Sequence, residues 1–146
     1  MPDNFNSLLA INAREVEYCL LGAFLLDEKL IDEIPDSFGA EHFSLPLYGR
    51  IYSAMVALHD KGKAVDPFTI SAELNSDEEF QAVGGPKFCV DLINATVGCN
   101  IKEYIDIIID FYLRRGIKKI STEMNYEAEN KFGDTEAIDI IDKSEQ

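Results

Sequence analysis

The 146-residue sequence predicts an all-α fold, with a compact multi-helix head followed by a long helical hairpin used for subunit pairing. Three observations carry that expectation. Apolar residues recur at intervals of three and four in each longer segment, no stretch alternates long enough to make a strand, and capping residues, prolines and glycines punctuate the expected helix ends.

Residues 1–11 lack periodicity and read as a flexible N-terminal arm. Asn12 is an N-cap candidate with Glu15 as its capping-box partner, opening EVEYCLLGAFLLD with Val16, Cys19, Leu20, Ala23 and Leu26 on one face. DEKLIDEI is a shorter amphipathic piece stopped by Pro35, because proline disfavours a helical residue before it. Ser44 and Pro46 open LPLYGRIYSAMVALHD, whose apolar face holds Leu47, Tyr48, Ile51, Tyr52, Met55 and Leu58 and whose stop is Gly62. Asp66 and Pro67 restart a helix through PFTISAEL, and Phe68, Ile70 and Leu74 are expected to fold back on the preceding one. A small acidic piece, DEEFQAV, ends at Gly84-Gly85, and Pro86 leads KFCVDLINA. The helical head is thus assigned to residues 12–99 and the hairpin to 100–146.

Asn100 caps the hairpin's first helix, which meets no proline or turn cluster before Gly133, so at a rise of about 1.5 Å per residue it is more than about 40 Å long. Asp134 starts a return helix, DTEAIDIIDKSEQ, which carries no stop signal and is expected to continue past residue 146. The first half of the long helix is apolar around most of its circumference. Tyr104, Phe111 and Tyr112 are candidates for the junction with the head or for a partner surface. Its second half narrows to a seam, and Ile117, Ile120, Met124, Ile138 and Ile141 are the candidate oligomer interface.

The remaining chemistry is sparse. With 27 acidic against 13 basic residues the formal charge is −14, which disfavours direct DNA binding and suits basic protein partners or plain solubility. LRRGIKK is a local basic patch, read as the solvated side of its helix. Cys19, Cys89 and Cys99 lack metal spacing and read as packing thiols, and His42 and His59 fit no zinc or di-iron pattern. Asp106 and Asp110 share a face but supply too few oxygens for calcium, and no phosphate-binding glycine loop is present. No catalytic, cofactor or metal residue is assigned. Without a leader or an apolar stretch approaching about 20 residues, a cytoplasmic protein with no membrane partner is expected.

EVEYCLLGAFLLD (15–27), HFSLPLYGRIYSAMVALHDKGKAVDPFTISAEL (42–74), VGGPKFCVDLI (83–93), NIKEYIDII (100–108) and Arg114-Arg115, in that order, resemble the N-terminal domain of DnaB-type replicative DNA helicases. Tyr18, the loop ATVGC and Gly116 depart from the family's pattern. The resemblance implies a scaffold that pairs with itself as a dimer, joins a hexameric collar and docks primase, with a helicase loader as a further partner. It places ATP, Mg and the unwinding motor in a C-terminal domain outside these residues. A stand-alone helical adaptor or helicase-regulating protein that binds a replicative helicase is the alternative.

Overall fold

The computed structural model describes the backbone of residues 3–96 and 98–130 and, among them, the side chains from residue 13 onward. Among the described residues six α-helices follow one another: α1 Asp3–Leu26, α2 Pro46–Asp60, α3 Pro67–Glu73, α4 Glu78–Ala82, α5 Pro86–Ala95 and α6 Ile101–Asn130. Short 3-10 helices at Glu28–Glu33 and Ala40–His42 link α1 to α2. There is no strand among the described residues, so the all-α expectation holds. The chain divides into two compact units at Ile109–Asp110, inside α6 and later than the boundary expected at residue 100.

The start of α1 corrects the sequence reading. The backbone is helical from Asp3, where an arm was expected over 1–11, and Asn12 lies inside the helix and opens nothing. No proline or glycine interrupts residues 3–21, so a helix once nucleated extends through Asn12 at small cost per residue. The buried face overlaps the expected one only in part. Leu20 and Ala23 are buried as expected, Leu26 is exposed, and Glu17, Leu21 and Phe24 complete the buried face.

The crossing of α1 and α5 organises the first unit. A Cβ built at Gly22 would lie 1.9 Å from the Thr96 hydroxyl oxygen and 2.3 Å from the Leu92 carbonyl, so only glycine lets the two backbones come this close. The Thr96 hydroxyl, beside Gly22, bonds back to the Leu92 carbonyl at 2.9 Å and reaches the Cys19 carbonyl at 3.2 Å. Around this crossing Phe24, Ile51, Met55, Ile70, Phe80 and Leu92 are fully enclosed. Each such side chain contributes about 2 kcal/mol relative to exposure.

The corner between α2 and α3 is built from local bonds. Gly62 adopts φ 70°, the Gly62 N–H donates to His59 O at 3.0 Å and the Lys63 N–H to Leu58 O at 2.9 Å, which together close the end of α2. The Asp66 carboxylate accepts from the N–H groups of Phe68 and Thr69, both at 2.9 Å, while the Thr69 hydroxyl accepts from the Asp66 N–H at 2.9 Å. The cap at Asp66 is as expected; the fate of Phe68 is not. Ile70 is fully buried, but Phe68 points outward at 78 % exposure, because helical spacing sets it about 200° round α3 from Ile70.

Asp77 caps α4 by accepting from the Phe80 N–H at 3.0 Å, and its carboxylate also accepts from Arg50 on α2, Nε at 2.6 Å and Nη2 at 3.3 Å. That two-pronged guanidinium bond, with the Phe80 N–H, holds the Asp77 carboxyl below its ordinary range. Gly84 and Gly85 take positive φ, and Pro86 starts α5. Asn100 caps α6 as expected, its side-chain oxygen accepting from the Glu103 N–H at 3.1 Å.

Candidate functional site

The polar groups of the first unit are engaged in holding it together. Glu17 is the clearest case: buried on α1, it accepts both from the Ser44 N–H and, at 2.5 Å, from the Ser44 hydroxyl. Ser44 therefore secures the approach to α2 from a distance and does not cap it; the N-cap residue is Leu45. His42 is buried, stacked on Phe38 at 5.3 Å, and takes the Gly39 N–H on Nδ1 at 3.0 Å. His59 pairs with Asp32 at 2.7 Å, and this bond raises its pKa above the ordinary histidine value. The two histidines thus serve separate local contacts.

The thiols are equally poor nucleophiles. Burial pushes Cys89 up to about 11, and burial with the nearby Cys19 does the same for Cys99, so both stay protonated at neutral pH. Asp110 is tied to Arg114 at 2.7 Å, and no cluster of three metal-ligating side chains occurs among the described residues. None of the described helices is long and apolar enough to cross a membrane.

What remains is surface, and α6 supplies it. Tyr104 is half-buried and packs against the core of the first unit, to which Ile101, Ile105 and Ile108 also belong. In the second unit Phe111 is half-buried and Tyr112 exposed. Beyond them Leu113, Ile117 and Ile120 are 55, 65 and 40 % exposed, and Met124 is half-buried. At about 100° per residue these four fall within about 60° of arc, so the structure places them in one narrow strip. Ile138 and Ile141 lie outside the described residues.

Two features escaped the sequence reading. Phe68 is one, set on the face of α3 opposite the buried Ile70. The other is the Glu17–Ser44 contact, for which a signal existed: Glu17, Leu20, Leu21 and Phe24 are themselves spaced as one helical face, so a carboxylate there required a buried donor.

Residues 10–110 match the DnaB-like helicase N terminal domain, a match that stops where the first compact unit ends. The chain belongs to that family. The replicative DNA helicase DnaB of Rickettsia felis is 30 % identical over 132 residues, covering 90 % of this chain and 27 % of the relative. That of Synechocystis is 31 % identical over 136 residues, covering 90 % of this chain and 15 % of the relative. This DnaB-like chain therefore spans less than a third of either relative's length. Its fold is that of the N-terminal domain of the Mycobacterium tuberculosis DnaB helicase, with a TM-score of 0.77 at 21 % identity over 89 % of this chain and 91 % of that one. The N-terminal domain of the Helicobacter pylori DnaB helicase, described with its interactions with primase, gives a TM-score of 0.70 at 18 % identity over 84 % of this chain and 95 % of that one.

Proposed function

We propose that this DnaB-like domain is the N-terminal scaffold of a cytoplasmic replicative helicase: it associates with copies of itself and presents a docking surface for primase, with a helicase loader as a second visitor. ATP-driven unwinding then belongs to a C-terminal motor, where ATP and Mg act, and no catalytic step falls to the residues described here. Family membership supports the placement at the replication fork, and the H. pylori relative's interactions with primase support the choice of partner. The observation that carries the assembly reading is the strip Leu113, Ile117 and Ile120. Exposed isoleucine and leucine aligned over about two turns of a helix mark a surface meant for another helix.

Ile120→Asp tests it. In sedimentation velocity at micromolar concentration the chain is expected to run as a dimer or larger, and the variant as a monomer with an unchanged thermal transition of the first unit. A wild-type chain that stays monomeric overturns the assembly reading. Failure to co-sediment with purified primase overturns the docking reading. A monomer that instead binds an intact replicative helicase identifies an adaptor.

A further inference from the structure

Between the buried side chains of Ile31 and Phe38 runs a strap, residues 32–37, exposed at every position except the half-buried Ile34. Short backbone bonds close its two ends, from the Ile34 N–H to Ile31 O at 3.2 Å and from the Phe38 N–H to Pro35 O at 3.0 Å. Alternate side chains of the strap, Glu33, Pro35 and Ser37, line a groove of about 700 Å³ together with Ile101, Ile105 and Ile109 of α6. Asp32 is not among them. It meets His59 Nε2 at 2.7 Å, in the last turn of α2. The strap therefore forms part of the groove wall and is tied to α2 by a pair that titrates.

We propose that the Asp32–His59 pair is a proton-operated clasp on this groove: with His59 protonated the strap is held in place, and without that proton the strap loosens and the groove wall it carries becomes mobile. Three carboxylates face the ring, Asp32 and Glu28 from the 3-10 helix Glu28–Glu33 and Asp60 from its own helix, and the C-terminal end of α2 adds the negative pole of its backbone. The bond from Asp32 does most to raise the His59 pKa; partial burial opposes it, and the charges of Asp32, Glu28 and Asp60 add to it. A raised folded-state value fixes the sign. The clasp is complete below the ordinary histidine value of about 6.5 and is lost as pH rises through the raised one. A neutral imidazole still offers Asp32 an N–H but no charge, so the contact weakens without vanishing. Exposed ion pairs add little to global stability, which confines the effect to the strap while Ile31 and Phe38 stay seated. The clasp lies within the first unit and depends neither on self-association nor on primase.

Nuclear magnetic resonance on the whole chain tests it, comparing the wild type with Asp32→Asn and His59→Gln. His42 is kept in both variants, so the difference belongs to His59. At about pH 6 the Ile34 amide should exchange with solvent about two- to fivefold faster in either variant than in the wild type, the range expected of an exposed ion pair, and the ratio should fall toward one by about pH 8.5. In the wild type the methyl signals of Ile105 and Ile109, which line the groove, should shift with the same midpoint as the His59 ring, and Asp32→Asn should lower both midpoints together. An exchange ratio of one at about pH 6, or groove methyls that ignore the His59 midpoint, overturns the clasp. A His59 midpoint unmoved by Asp32→Asn shows that the pair does not form in solution and overturns it as well. Equal acceleration at the core amides of Leu20 and Leu92 assigns the pair to global stability and overturns its role in the strap.

Discussion

Within α6 the same residue type meets two fates. Ile101, Ile105 and Ile108 are closed into the core of the first unit, whereas Ile117 and Ile120, later on the same helix, are open to solvent. Their intrinsic helix propensity is identical, so what separates them is the company each keeps. The first three belong to the core cluster of the first unit, which closes locally. The residues beyond Asp110 display apolar side chains that only another surface can bury. The fold thus keeps its packed core in one region and an open apolar surface in another.

Substitutions sharpen the contrast. Gly22→Ala should have the largest effect, a loss of about 3 kcal/mol in urea unfolding, since its Cβ would strike Thr96 and the Leu92 backbone and overpacking strains both helices. Glu17→Ala should cost about 2 kcal/mol by stranding the Ser44 donors in the interior, and should leave the sedimentation mass unaltered. Asp66→Ala should cost about 1 kcal/mol, the ordinary worth of an N-cap, read by the same unfolding curve. The smallest effect, and the only gain, belongs to Gly116→Ala. A Cβ there meets nothing within 4 Å, so helix content by circular dichroism should rise and the helix gain just under about 1 kcal/mol. If Gly116→Ala instead lowered the stability of the first unit, the separation between the two regions would be wrong.

Local signals in the sequence were reliable where local bonds decide the structure. Asp66, Gly62, Pro67, Pro86 and Asn100 each stand at the helix end their chemistry specified. Asn12, a cap candidate inside a continuous helix, and Phe68 were local misreadings; the other errors arose where something distant decides. Ser44 looked like a cap for its own helix, but its acceptor lies 27 residues earlier on α1. The buried face of α1 was legible in the spacing of Glu17, Leu20, Leu21 and Phe24, but the donor that satisfies Glu17 lies outside any window confined to α1. Phe68 was expected to fold back with Ile70 and Leu74 once the caps fixed the corner, although helical spacing sets it about 200° round α3 from Ile70. Of the interaction surface, the narrow strip was readable as periodicity, and its exposure required knowing how far the core extends along α6.

The two kinds of contact in the first unit also imply an order of events. Every bond closing the corner between α2 and α3 spans five residues or fewer, so it forms without bringing distant chain together. The Thr96 hydroxyl reaches a carbonyl 77 residues away, and closing so long a loop carries an entropy penalty that must be met before any contact rewards it. We expect refolding to make the corner early and the seating of Gly22 beneath Thr96 late, with Gly22→Ala mainly accelerating unfolding and Asp66→Ala mainly slowing folding.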